Sequence, residues 1–563
     1  MVVIEVMVAQ SSIVPAQHVR FSKESRFRMR CGFKLIAPVF LCCAVFASPS
    51  HAQDADTKAD DADAKTAVAL DPMLSLDPSV PHVAALPGGL TPSYGQPSSG
   101  PGDWRFDFHG LLSMPLRAGF NTRENRRPGQ SSTVVHSPPV VPDDLVTFSH
   151  TGVVPTAYAQ LNFSYGNSVI TANASILAMQ PNVSTSFYDP PTQPGINDAF
   201  LHLHPKLGKN VRLQMYVGAF SNRYGIMGEH DLGRYGTPLI ARTNGVGENV
   251  IATFGITKKL SAQVEQGIQG QSNKAAPDLV PDGWNAWANS NVGSSFVNHV
   301  HAGLNYDHLV TLGGHFMQAW EQDDFATGTL APDGKIRVIA TDARATLGRF
   351  GHFYVASSWV TARYAGTVGR VIEVLNTQGG GGLVGPNQGG QGLIDNYFGN
   401  NSNGNGSLGI YGAQYDLSIG RLVSYPTPFS GDGPDIYVSA FGILTRVHSD
   451  DKRTDVAGAK MYDGVTKYKY GIEASYSLLS WFAFSTRYDH VTPNTANERY
   501  SFAVISPRLI FRTDWQSTDQ LVLQYSHWMN GSQTLVRTGY PPRDDPTANP
   551  DTDMLSLTAS MWW

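Results

Sequence analysis

The sequence predicts an all-β fold: one antiparallel sheet of about eighteen long strands, closed into a barrel that crosses a membrane. Three observations predict it. Segments of roughly ten to fifteen residues alternate apolar and polar with a period of two, which is a strand and not a helix. Most exceed the five or six residues usual in soluble strands and reach the nine to eleven or so that a tilted membrane strand needs. The connections between them alternate short and long, as they do where hairpins run up and down through a bilayer.

The 563 residues divide into three parts. Residues 1–52 read as an upstream extension followed by a secretory signal peptide. Arg20, Lys23, Arg26, Arg28, Arg30 and Lys34 form a basic stretch, Leu35–Ala47 is apolar, and Ser50-His51-Ala52 supplies small residues before a cut at Gln53. Met29 fits the start of such a signal. The three cysteines (Cys31, Cys42, Cys43) all precede the cut, which suits export through an oxidising compartment. Residues 53–103, rich in Asp and Ala and then in Pro, Gly and Ser, read as a flexible linker. The barrel is expected over 104–563.

In order, strands are expected at 104–120, 155–165, 168–178, 196–204, 209–221, 246–257, 259–270, 296–306, 308–321, 335–347, 350–365, 406–419, 435–448, 466–478, 481–491, 499–513, 519–531 and 553–563. Tyr468, Tyr470, Ile472, Ala474, Tyr476 and Leu478 share one face, opposite Lys467, Lys469, Glu473, Ser475 and Ser477. Val211, Leu213, Met215 and Val217 likewise oppose Arg212, Gln214 and Tyr216. Gly166-Asn167, Thr257-Lys258, Asp307-His308 and Leu479-Ser480 mark tight turns; only the connection after 419 breaks the short–long alternation. Strand boundaries read from sequence are soft, so sixteen strands is the alternative count. Aromatics near strand ends (Tyr165, Phe220, Tyr224, Trp320, Trp359, Tyr364, Trp481, Trp515, Trp528) suggest interfacial girdles.

The final segment is the most specific. Leu555, Leu557, Ala559, Met561 and Trp563 alternate to an aromatic last residue. Here the chain resembles the bacterial outer-membrane β-barrel porin superfamily. The resemblance implies residence in the bacterial outer membrane, contact with its lipid, and an assembly signal that includes Leu557, Met561 and Trp563 and is read by the barrel-assembly machinery. It also implies a passive, water-filled channel for small hydrophilic solutes; a homotrimer is left open.

A barrel of this size leaves an aqueous lumen, so its inward side chains form the functional surface. The pore-lining expectation is Arg212, Arg363, Lys467, Lys469, Arg487, Arg508 and Arg512, against Glu265, Glu473 and Asp489. Rings of Arg and Lys favour anions, although Lys469 beside Glu473 shows that part of the charge cancels. In the connection after residue 221, Glu229, Asp231, Arg234 and Arg242 suggest a constriction loop, with a solvated surface loop as the alternative; the Gly/Asn-rich stretch 379–406 reads either as a mobile outer loop or as a site of phage or partner contact. The rival functions are a solute-specific channel, with Tyr158 and Tyr216 as an aromatic path, and an adhesive or structural barrel with a plugged lumen.

No enzyme is expected. Asp489-His490 and Ser526-His527 put their members on opposite faces of a strand. His202 and His204 share a face but lack further metal ligands, and no phosphate loop occurs. Neither cofactor nor metal is expected. A net charge of −5 argues against a nucleic-acid partner.

Overall fold

The backbone alternates inward and outward along each long strand of the described residues. The structure, a computed structural model, describes residues 104–120, 158–179, 195–225 save 206 and 209, 240–272, 294–322 save 308, 334–374 save 369 and 370, 393–423, 435–479 save 456 and 457, 481–512, 519–531 and 551–562. The chain divides into two units, Met1–Thr66 and Ala67–Trp563, and every described residue belongs to the second. The signal peptide and linker expected over 1–103 lie outside the described residues.

The strands are β1 (Arg105–Phe120), β2 (Tyr158–Gly166), β3 (Ile170–Met179), β4 (Gly195–Leu203), β5 (Val211–Tyr224), β6 (Ala241–Gly255), β7 (Leu260–Ser272), β8 (Ser294–Tyr306), β9 (Val310–Gln322), β10 (Lys335–Thr346), β11 (His352–Arg363), β12 (Ile372–Glu373), β13 (Gly406–Ser418), β14 (Asp435–Ser449), β15 (Thr466–Leu479), β16 (Phe482–Thr492), β17 (Phe502–Phe511), β18 (Gln520–Asn530) and β19 (Thr552–Trp562). All but β12 pair antiparallel with their neighbours in turn, β11 pairing directly with β13. The first strand pairs with both β2 and β19, so the hydrogen bonding runs round a complete circuit of eighteen strands. A closed ring leaves no backbone edge unpaired, which a bilayer demands.

The tight turns are fixed by side chains. The Asn167 carboxamide oxygen accepts the backbone N–H groups of Val169 (2.9 Å) and Ile170 (3.1 Å). Thr257 Oγ1 accepts those of Lys259 (3.2 Å) and Leu260 (3.0 Å) in the same way. The irregular connection after residue 418 begins with a four-residue helical turn, Ile419–Leu422, whose Gly420 N–H donates to Asp435 Oδ1 at 2.6 Å.

Alternate residues face out and are exposed: Phe108, Leu116, Val300, Phe316, Ile339, Trp359, Tyr470, Ile472, Phe484 and Leu557 among them. Exposed apolar surface on this scale is untenable in water and is the lipid belt of a barrel. Tyr165, Trp359 and Trp481 belong to it. Phe220, Tyr224 and Trp528, expected in the girdle, instead are buried on the inner face, and Trp515 lies outside the described residues.

One element departs from the expected plan. The β11–β13 connection folds onto the inner wall. Tyr364 turns it with a left-handed φ of 47°, and its Ile372 and Glu373 form β12 against Thr243 and Arg242 of β6. β7 pairs with β6 only from Val246 onward, so β12 takes up the edge that β7 leaves. Val371, Ile372, Leu393 and Phe398 of this connection are buried in one cluster with Ile336, Val338, Val360, Leu408 and Ile410 of the barrel.

Candidate functional site

The inner wall carries two charged arcs. The first spans β15–β17. Antiparallel register sets Glu473 opposite Arg487, Gly471 opposite Asp489 and Ser485 opposite Arg508. Arg487 holds Asp489 through Nε (2.7 Å) and Nη2 (2.9 Å) and reaches Glu473 through Nη1 (3.3 Å). Arg508 Nη2 lies 3.1 Å from the same Glu473 oxygen. Ser485 donates to the other oxygen at 3.2 Å, and Ser475 donates to Ser485 at 2.9 Å. The Arg487 guanidinium also lies over the Phe441 ring, 4.9 Å from its centre. Gly471 makes this approach feasible, because a Cβ there would stand 2.6 Å from Asp489 Oδ1 and 2.7 Å from the Phe441 ring.

These placements sort the expected pore-lining set. Lys469, Glu473, Arg487, Asp489 and Arg508 come together on one buried face. Lys467 shares that face further along β15, its ammonium 5.1 Å from the centre of the Tyr397 ring on the inward-folded connection. Arg512 follows Arg508 on the same face and donates to Gln520 at 3.0 Å. Arg212 stands apart on β5, sharing a face with buried Gln214 and Tyr216.

Arg363 is a correction. It is exposed on the outward face of β11, in line with Val355 and Trp359, while Tyr354, Ala356, Ser358, Val360 and Ala362 face inward. Both faces of this strand mix polar and apolar residues, because here the inner wall packs against the folded-in connection rather than water. Parity is therefore unreadable from the sequence. Of the constriction-loop residues, Glu229, Asp231 and Arg234 lie outside the described residues. Arg242 is buried on β6, with Nη1 4.0 Å from Glu373 of β12. Leu557 and Met561 are exposed on the outward face of β19, whereas Trp563 and the Tyr158 side chain lie outside what is described.

The second arc, on β6–β10, surrounds the expected inward-facing Glu265 with histidines and an Asp342 that the sequence reading does not include. Glu265 accepts a hydrogen bond from Asn249 at 2.8 Å and lies 3.5 Å from His299 Nδ1 and 3.6 Å from His301 Nδ1. His301 and His315 stack with ring centres 4.3 Å apart, and His315 Nε2 lies 3.4 Å from Asp342 Oδ1. One signal was available: the tight turn at Asp307 makes β8–β9 a hairpin, whose register sets His301 opposite His315. Nothing in the sequence aligns Glu265 with them across the long β7–β8 connection. No group of His, Cys, Asp and Glu among the described residues is arranged to hold a metal ion. Beside this arc, β4 and β5 carry an aromatic track: His202 stacks on Tyr216 with centres 4.4 Å apart, followed by Phe200 and Phe220.

A ring of eighteen antiparallel strands, apolar outside and ionic within, defines a large transmembrane β-barrel. Solved structures similar to the chain include OccK8 (OprE) of Pseudomonas aeruginosa, 11% identical with a TM-score of 0.36, covering 81% of this chain and 98% of that one. The outer membrane channel DcaP of Acinetobacter baumannii is 10% identical with a TM-score of 0.34, covering 83% and 99%. The trimer form of OmpT, an outer membrane protein of Vibrio cholerae, is 10% identical with a TM-score of 0.32, covering 82% and 99%. No protein-family model and no curated protein matches the chain.

Proposed function

We propose that the chain is a porin whose lumen passes small hydrophilic solutes by passive diffusion, narrowed by the inward-folded β11–β13 connection. The observation that carries this reading is the sorting of charge on the inner wall. Lys469, Arg487 and Arg508 gather with Glu473 and Asp489 on β15–β17, while Glu265 and Asp342 stand with three histidines on β7–β10. Fixed charges of opposite sign on two arcs of one wall orient a polar or zwitterionic solute, and they are costly to bury unless they serve the lumen.

Within the first arc three cations face two carboxylates, and Lys467 and Arg512 extend it, so this arc favours anions locally, while Glu265 and Asp342 make the second arc favour cations. The work is done by radius and charge, with no catalytic step. The stacked rings of His202, Tyr216, Phe200 and Phe220 favour a second reading, in which one class of ring-bearing solute binds on its way through.

Single-channel recording of the refolded protein in a planar bilayer tests both. Discrete conductance steps that do not saturate support the open porin, and steps blocked by one solute support the binding channel. A silent membrane containing correctly folded barrels overturns both in favour of a plugged barrel.

A further inference from the structure

We propose that the outward face of β10–β14, at the end bearing the long connections, binds the phosphate groups of the glycolipid in the outer leaflet of the outer membrane. Lys335 and Arg337 open β10, Arg363 closes β11, and Arg446 and His448 lie near the end of β14; all five are exposed. Among the described strand side chains, every exposed, outward-facing Lys or Arg stands in this one sector. No Asp or Glu shares the outward face of β9, β10, β11, β13 or β14.

The register arranges them around a shallow trough. Lys335 is flanked by Trp320 and Arg363. One row in from the rim run Gln318, Arg337, Thr361, Ser407 and His448, and the next holds Ile339, Trp359, Gly409 and Arg446. Small residues (Thr361, Ser407, Gly409) thus separate the Arg337 and Arg363 flank from the Arg446 and His448 flank. The Trp359 ring lies over Gly409, where a Cβ would stand 3.2 Å from it.

Arg337 donates only to the neutral Gln318, at 3.4 Å, and none of the five is in an ion pair among the described residues. Four cations with no ion-pair partner among the described residues, standing on a lipid-facing surface, call for anions at their own depth. Long connections mark the outer side of such barrels, and guanidinium forks match phosphate oxygens in pairs. The occupant is therefore a phosphorylated lipid headgroup of the outer leaflet. Charges this close to the interface cost the barrel little, so the cluster does not compromise folding.

The test uses the full-length protein purified in mild detergent, incubated with bisphosphorylated lipid A or with the same glycolipid stripped of its phosphates. Bound lipid is counted by native mass spectrometry. Wild type should retain the phosphorylated form preferentially. Arg337→Gln should lower that retention by about fivefold, near what one Arg contributes beside an anionic surface. The quadruple variant K335Q/R337Q/R363Q/R446Q should abolish the preference while keeping heat-modifiable migration.

Equal retention of both glycolipids by wild type, or an undiminished preference in the folded quadruple variant, would overturn the proposal. So would loss of oligomers with lipid binding intact, which would assign the sector to a protein contact. Conductance plays no part in this readout, so the lipid site and the channel reading fail separately.

Discussion

At the scale of single residues, Glu473 shows what the inner wall is built to do. Its carboxylate lies within 3.3 Å of two guanidinium groups and two serine hydroxyls, and Arg487 is bound at the same time to Asp489. Such buried lattices contribute little net stability, since the desolvation of each ion offsets the attraction gained. Removing a single member is another matter, because it strands its partners. Arg487→Ala should therefore destabilise the barrel by about 3–5 kcal/mol, read as a lower urea midpoint in detergent or lipid. Adding Glu473→Gln and Asp489→Asn in the same chain should recover much of the loss. A single variant as stable as wild type would show that Arg487 holds no desolvated charge. The same lattice changes what Arg508→Glu would do. With a carboxylate already 3.1 Å from its guanidinium, reversal places two anions side by side and strains the wall as well as altering its charge.

At the scale of elements, the β14–β15 connection is structured by its own clasps. In the β14–β15 connection, Arg453 grips Asp451 through Nε (3.0 Å) and Nη2 (2.7 Å), and Asp451 also accepts the Asn401 N–H from the inward-folded connection at 3.3 Å. Burial works to raise the Asp451 pKa, but the Arg453 and backbone hydrogen bonds outweigh it and hold the carboxyl below its ordinary range. The Lys452 hydrogen bond does the same for Asp463. A lowered folded-state pKa means that the clasp stabilises fully above the unfolded value near 4 and weakens as pH falls through the folded one. Hydrogen exchange over 399–405 and 449–463, corrected for intrinsic rates, should show constant protection from pH 7 to about pH 5 and loss below about pH 4. Asp451→Asn should flatten the profile at low protection; a wild-type profile flat to pH 2 would refute the clasp. None of this was legible in the sequence. The stretch 379–406 reads as Gly/Asn-rich loop, a two-residue strand such as β12 is too short to show a period, and its partners in β6 lie some 130 residues away. The long strands were legible because lipid on one side and a polar lumen on the other force strict alternation. Where β10 and β11 instead meet the apolar connection, alternation fails and Arg363 was assigned to the wrong face.

At the scale of the whole molecule, closure and charge each make a prediction. The ring closes by ten paired positions between β1 and β19, from Leu111 opposite Trp562 to Phe120 opposite Asp553. Deleting Trp562-Trp563 should sharply reduce assembled, heat-modifiable barrel, both by shortening this seam and by removing the terminal aromatic; undiminished levels would exclude a role for it. Charge is tested by reversal potential. The arc on β15–β17 can bias ions only if it borders the conduction path, and Lys467 is the member on which to ask. It lies on the inner face beside Tyr397 of the narrowing connection, away from the lattice around Glu473. Lys467→Glu should lower the anion-to-cation permeability ratio a few-fold while leaving the urea midpoint near wild type. Tyr470→Glu, three residues on and facing lipid, should instead damage folding by about 1–4 kcal/mol according to depth. The selectivity change should fade with added salt, because the Debye length shrinks from about 30 Å at 0.01 M to about 3 Å at 1 M. Reversal potentials measured at both ionic strengths decide the matter: a ratio unmoved by Lys467→Glu at low salt would mean that ions cross the barrel without passing this arc.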